Sequence, residues 1–262
     1  MPYTIVGGER LFYTYHRAVE REAPRLLLVH GAGGNHLHWG YAIRNLQGAH
    51  VYALDLPGHG RSDGIGRSSI TDYADVLAGF MDALDLARAV VVGHSMGGAT
   101  AMMTALCHPQ RVAGLVLVGT GARLRVLPAI LEGTLHDFER TITLICEYAY
   151  SPNAPKELVQ QGQRQMLRVA PKVLHDDFVA CNAFDVMDQL YEIRCPTLVI
   201  CGSEDRLTPP KYSTFLAERI AGAELRLIEG AGHMVMLEKP NQVATAITSA
   251  LANWQSEYTA PL

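Results

Sequence analysis

Six short apolar runs, at residues 26–29, 51–54, 89–92, 115–118, 197–201 and 225–228, recur along the 262-residue chain with helical-looking stretches between most of them. Runs that are apolar throughout suit strands buried on both faces. Strands of that kind joined by helices form a parallel sheet, because a parallel neighbour needs a long crossover. The expected class is α/β, a mostly parallel doubly wound sheet with helices on both faces and its ligand site beyond the carboxyl ends of the strands. At the amino end, residues 3–6 and 11–15 flank Gly7-Gly8-Glu9-Arg10 and predict an antiparallel hairpin at the sheet edge. Residues 70–86 predict a helix capped by Ser68, Ser69 or Thr71, and Pro240 suits the first turn of a last helix reaching about Trp254.

The run at 89–92 leads into Gly93-His94-Ser95-Met96-Gly97, with Gly98 next. A serine hydroxyl is a weak nucleophile in water, so an enzyme that uses one holds it on a sharp strand-to-helix turn within reach of a base. Gly93 and Gly97 stand where a side chain would crowd such a turn, and Gly98 lets the helix lie close to the sheet. An acid and a histidine are expected to follow in that order, each past a strand. The run at 197–201 is followed by Gly202-Ser203-Glu204-Asp205, offering Asp205, and the run at 225–228 by Glu229-Gly230-Ala231-Gly232-His233, offering His233. In this reading His233 takes the Ser95 proton, and Asp205 sets the imidazole tautomer and stabilises the imidazolium. Glu204 is the alternative acid. The run at 26–29 leads into His30-Gly31-Ala32-Gly33-Gly34, a loop suited to aiming backbone N–H groups at a tetrahedral oxyanion. The oxyanion donors are assigned to the backbone N–H groups of Ala32 and Met96. The glycine spacing fits neither a dinucleotide fingerprint nor a P-loop.

Two further segments, Asp55-Leu56-Pro57-Gly58-His59-Gly60-Arg61-Ser62 and Glu238-Lys239-Pro240 after His233, complete a set of motifs that resembles the α/β-hydrolase fold family over nearly the whole chain. The resemblance implies a serine hydrolase with a two-step acyl-enzyme mechanism and no cofactor. Dehalogenase and epoxide-hydrolase branches of that family carry aspartate at the elbow, and Ser95 disfavours their chemistries. Between about 121 and 189 no strand-like run occurs, and the residues look helical with Pro128, Pro152, Pro155 and Pro171 among them. The expected organisation is a core of residues 1–120 and 190–262 with a helical cap, residues 121–189, inserted after the sixth strand and roofing the site. Most apolar cap residues, such as Ile142, Ile145 and Phe178, are expected to pack against one another, with a few facing an apolar acyl or alcohol group.

A net charge of −4, with 18% charged residues and no block of lysine or arginine, excludes a nucleic-acid footprint and a basic membrane patch. The expected partner is a small-molecule ester, neutral or mildly anionic, with no nucleic acid and no membrane; the oligomeric state stays open. The first residues show no basic segment followed by an apolar stretch, and no run of eighteen apolar residues occurs, so the expectation is a soluble cytoplasmic protein. The five cysteines, Cys107, Cys146, Cys181, Cys195 and Cys201, are read as buried reduced thiols, with Cys107 in mid-helix. His36-Leu37-His38 lacks a third ligand and is read as a pair of polar loop residues, so no metal is expected.

The leading expectation is a carboxylesterase cleaving short- to medium-chain apolar esters. The same triad in relatives also serves carbon–carbon bond hydrolysis in vinylogous 1,5-diketones, lactone opening and perhydrolysis. Arg123 and Arg125, at the start of the cap, are the candidates for holding a ring-cleavage carboxylate, although solvated charge is the simpler reading. A hydrolase-fold ligand receptor, and a cofactor-free lyase or oxygenase in which His233 abstracts the proton, complete the alternatives.

Overall fold

A computed structural model describes residues 2–254. The strands are β1 (Tyr3–Val6), β2 (Glu9–His16), β3 (Arg25–Val29), β4 (His50–Leu54), β5 (Ala89–His94), β6 (Val112–Val118), β7 (Thr197–Gly202) and β8 (Glu224–Ile228). They form one sheet in the order β1-β2-β4-β3-β5-β6-β7-β8. β1 and β2 make the edge hairpin, β2 pairs antiparallel with β4, and every later pairing is parallel. The expected doubly wound α/β sheet is therefore present. β6 begins three residues before its apolar run, and β8 differs in kind: Arg226 and Leu227 are exposed because it is the edge strand.

The helices are α1 (Tyr41–Arg44), α2 (Ile70–Ala83), α3 (Met96–Cys107), α4 (Pro128–His136), α5 (Phe138–Ala149), α6 (Lys156–Met166), α7 (Pro171–Ala183), α8 (Pro210–Arg219), α9 (Val235–Glu238) and α10 (Pro240–Asn253). Of the three proposed caps for α2 it is Ser69 that serves, its hydroxyl accepting from Asp72 N–H. Strand periodicity separates two cores. Leu27, Val29, Val91, Leu115, Leu117 and Val199 face α2, α3 and α8, whereas Leu26, Leu28, Val90, Val92, Val116, Leu198 and Ile200 face α1 and α10. Each such buried side chain contributes roughly 1.5–3 kcal/mol. Among the described residues no helix is long and apolar enough to cross a membrane.

Two consequences position the site. β4 and β5 lie on opposite sides of β3, so the chain reverses its direction across the sheet there, which opens a crevice at the strand ends. Val29 is registered opposite Gly93, so the loop after β3 and the turn after β5 leave the sheet side by side. Between β6 and β7 the chain forms α4 to α7, with a single bridge between Arg123 and Asp185 outside the named strands. Ile142, Ile145, Cys146, Val169, Val173 and Leu174 of this insertion build a cluster of their own, and Ala32 of the core packs against it.

Candidate active site

Ser95 joins β5 to α3 at φ 53° and ψ −117°, a left-handed φ that a side chain rarely adopts. The surroundings hold it there. Its N–H donates to Val118 O at 2.9 Å, and its carbonyl accepts from Gly98 N–H at 2.8 Å and from the Thr120 hydroxyl at 2.8 Å. A Cβ on Gly93 would overlap the Gly97 backbone, and one on Gly97 would stand 2.6 Å from the His30 carbonyl. A Cβ on Gly98 would meet Thr120 at 2.6 Å, so the third glycine accommodates a residue just past β6. The turn is therefore specified by close backbone approach as well as by dihedral freedom.

Asp205 and His233, from the turns after β7 and β8, are in direct contact: His233 Nδ1 lies 3.0 Å from Asp205 Oδ2 and 3.2 Å from Oδ1, with both residues buried. The second carboxylate oxygen is held by its own turn, Asp205 Oδ1 accepting from Leu207 N–H at 2.9 Å and from Thr208 N–H at 2.8 Å. The Thr208 hydroxyl donates to Asp205 Oδ2 at 2.8 Å and lies 3.1 Å from His233 Nδ1. Burial pushes the Asp205 carboxyl up, but the His233 charge and the hydrogen bonds from His233 and Thr208 outweigh it and leave its pKa below the ordinary 3.8. An ionised carboxylate at this position fixes the proton of His233 on Nδ1 and leaves Nε2 as the basic nitrogen.

No hydrogen bond joins Ser95 to His233 among the described residues. Among the described residues His233 Nε2 has no hydrogen-bond partner, and its ring packs at 4.7 Å from that of His94, the residue before the serine. Serine–histidine contacts of this kind are often long before substrate binds. His94 also fixes the backbone of the histidine turn, its Nε2 donating to His233 O at 3.1 Å. Burial, and then the charge on His233, hold the His94 pKa well below 6.5, so it is neutral. On the far side of the turn, Glu238 accepts from Gly232 N–H at 3.0 Å and from Ser151 N–H at 3.2 Å, tying the histidine turn to the insertion.

The two backbone N–H groups assigned as oxyanion donors lie in the loop after β3 and at the start of α3. Ala32 N–H has no acceptor among the described residues, and Met96 opens α3, where the first N–H groups lack an intrahelical partner. Among the described residues Glu204 makes no hydrogen bond or ion pair with His233, and its Oε2 is buried without a hydrogen-bond partner.

Some sequence expectations need correction. His36 and His38 are buried in a single 3₁₀ turn: His36 bonds Asp55 through Nδ1 at 2.8 Å, so they are interior residues and not polar loop residues. Cys107 ends α3 and is exposed, and Cys195 is half-buried, whereas Cys146, Cys181 and Cys201 are buried. Arg123 and Arg125 both face Asp185, at 3.7 and 3.5 Å, and Arg125 donates to Asn182 O. They brace the start of the insertion against its end.

Thr208, His94 and Thr120 were not singled out from the sequence. Thr208 had a local signal, a hydroxyl three residues after an aspartate in a turn; the other two act through contacts between distant strands.

Residues 24–240 match the alpha/beta hydrolase fold family. The chain is 32% identical over 242 residues to the 2-hydroxy-6-oxononadienedioate/2-hydroxy-6-oxononatrienedioate hydrolase of Burkholderia vietnamiensis, covering 81% of this chain and 82% of that one. A thermophilic esterase superposes with a TM-score of 0.84 at 37% identity, over 96% of this chain and 97% of the esterase. An N-acyl homoserine lactone degrading enzyme superposes with a TM-score of 0.84 at 30% identity, over 95% of this chain and 99% of its own. With an elbow serine on a doubly wound sheet and a match that spans most of its length, this chain belongs to the α/β-hydrolase fold family.

Proposed function

We propose that this protein is a serine hydrolase working through an acyl-enzyme, and that its substrates are short- to medium-chain apolar carboxylic esters. Ser95 Oγ attacks the ester carbonyl carbon while His233 Nε2 takes its proton, and the negative charge formed on the carbonyl oxygen is met by the N–H groups of Ala32 and Met96. The ester C–O bond then breaks as His233 returns the proton to the departing alcohol. Water attacks the acyl carbon, His233 takes its proton, and the acid leaves as Ser95 regains its hydrogen. Asp205 stays ionised throughout and holds the imidazole.

The observation that carries this reading is a buried His233–Asp205 pair, with one imidazole nitrogen engaged and the other unengaged, beside a serine held at a left-handed φ of 53°. Two features favour esters. Arg123 and Arg125 are occupied by Asp185, and Arg206 donates to the carbonyls of Glu147 and Tyr150, so these arginines are not reserved for a substrate carboxylate. The apolar cluster of the insertion packs against Ala32, whose N–H is one of the two proposed oxyanion donors.

A second reading is carbon–carbon bond or lactone hydrolysis by the same residues, favoured by the likeness to the 2-hydroxy-6-oxo dioate hydrolase and to the lactone-degrading enzyme. Hydrolysis of p-nitrophenyl esters from acetate to palmitate, beside a vinylogous 1,5-diketone and an acyl lactone, separates the readings when wild type and Ser95→Ala are run together. Ser95-dependent turnover greatest on short or medium esters is the expected result; a preference of orders of magnitude for the diketone or lactone would move the assignment.

A further inference from the structure

The loop that carries Ala32 is held from both sides. Upstream, the Gly31 carbonyl accepts from Gly34 N–H at 3.0 Å and from His30 Nδ1 at 2.8 Å. His30 Nε2 accepts from Leu56 N–H at 3.1 Å, so the ring proton resides on Nδ1. Downstream, Gly33 N–H donates to Asp177 Oδ2 at 2.8 Å. Asp177 belongs to α7 of the insertion and is fully buried.

Its carboxylate takes two further donors from the core, the Tyr73 hydroxyl on α2 at 2.5 Å and His59 Nε2 at 2.8 Å. His59 Nδ1 faces Pro57 O at 3.0 Å, so both ring nitrogens meet acceptors and the ring is an imidazolium. Burial opposes that charge, yet Asp177, the two hydrogen bonds and the more distant Asp55 together hold the pKa above 6.5. The His30 ring lies 4.9 Å away and stays neutral, burial and then the His59 charge keeping its pKa well below the usual range.

Packing brings α7 to near-backbone distance at the same place. A Cβ on Gly33 would stand 2.8 Å from Leu174 Cδ1, one on Gly58 3.2 Å from Val173 Cγ2, and one on Gly66 3.3 Å from Val173 Cα. Apolar residues of similar volume would hold a helix to these loops at least as well as a buried ion pair. What they cannot do is orient an N–H group.

We propose that Asp177 is the positioning residue of the oxyanion loop: by accepting from Gly33 N–H it sets the direction of the adjacent Ala32 N–H, and through His59 and Tyr73 it ties that direction to the seating of the insertion on the core. The inference rests on the acyl-enzyme reading of the site. Catalysis then depends on how α7 is docked, although α7 itself supplies no reacting group.

The test is steady-state hydrolysis of p-nitrophenyl butyrate, and inhibition by butylboronic acid as a tetrahedral mimic, for wild type, Ser95→Ala, Asp177→Asn and Tyr73→Phe. Asp177→Asn is expected to lower kcat about tenfold to a hundredfold with KM within about twofold. It should weaken boronate binding by a similar factor, because an interaction made mainly with the tetrahedral state affects kcat and the mimic alike. Asp177→Asn keeps one acceptor oxygen for Gly33 N–H, so Asp177→Leu, which keeps none, is run beside it: a folded Asp177→Leu enzyme with wild-type kcat and boronate affinity overturns the proposal, even if its melting temperature falls. Should that variant not fold, Tyr73→Phe decides: a fall in kcat of about threefold to tenfold at unchanged KM supports the proposal, and an unchanged kcat overturns it. Wild-type turnover that persists in Ser95→Ala overturns the acyl-enzyme reading itself and the inference with it.

Discussion

The turn after β8 and the loop after β4 each bury a histidine against an aspartate, at 3.0 Å for His233 and Asp205 and at 2.8 Å for His59 and Asp177. The pairs differ at the second ring nitrogen. His59 Nδ1 meets the Pro57 carbonyl, whereas His233 Nε2 has no partner among the described residues. An imidazole with acceptors on both sides is favoured as a cation and serves to hold structure together; one with an aspartate on Nδ1 and an unengaged Nε2 can pass a proton. In the proposed mechanism it is the acceptor on the far nitrogen, more than burial or the presence of an aspartate, that divides the proton-transferring histidine from the structural one.

The strongest way to break this comparison is to remove each group in turn. Ser95→Ala and His233→Ala are each expected to reduce ester turnover by on the order of 10⁶, with an unchanged melting temperature, measured by p-nitrophenyl ester hydrolysis and circular dichroism. If His59→Gln were as inactive as His233→Ala while folded, the division of roles would be wrong. Asp205→Asn is expected to cost about 10⁴ in kcat, read in the same assay. Near-wild-type activity in that variant would transfer the acid role to Glu204, the neighbouring carboxyl.

The pairs should also respond oppositely to pH. The Asp205 pKa is depressed, so its contribution to stability is present above 3.8 and is lost as the pH falls through the lower folded value. The His59 pKa is raised, so its contribution is complete below 6.5 and is lost as the pH rises through the folded value. Asp177→Asn should therefore destabilise the protein by about 1–3 kcal/mol below the ordinary imidazole range, and by less as the pH rises, in denaturant titrations across a pH series. A difference that grows with pH would remove the imidazolium. Thr208→Val, which deletes the hydroxyl shared by Asp205 and His233, should lower kcat roughly threefold to tenfold, the worth of one net hydrogen bond. Smallest of all, Arg123→Ala should leave KM for a neutral ester unchanged; a large rise in KM confined to an anionic substrate would instead favour the dioate reading.

The placement of Ser95, Asp205 and His233 past strand ends was legible because each follows an apolar strand in a turn whose glycines or polar residues the backbone requires. The edge character of β8 was not legible, since Leu225-Arg226-Leu227-Ile228 reads much the same whether or not another strand lies beyond it. His59 was legible only as part of a motif, and Asp177 had no signal at all, because its three donors lie 104 to 144 residues away in sequence.

By itself, then, the sequence determined the sheet, the helices that cover it and the turns past the strand ends that carry Ser95, Asp205 and His233. Those features follow from local periodicity, from turns that admit only glycine, and from the order of strands along the chain. Only the tertiary structure decided which histidine keeps an unengaged nitrogen, which arginines are already paired, and how α7 holds the loop beside Ser95. The first two depend on the conformation and packing that the folded turns adopt, and for α7 the hydrogen bonds join residues more than a hundred positions apart, which leaves no mark on either local sequence.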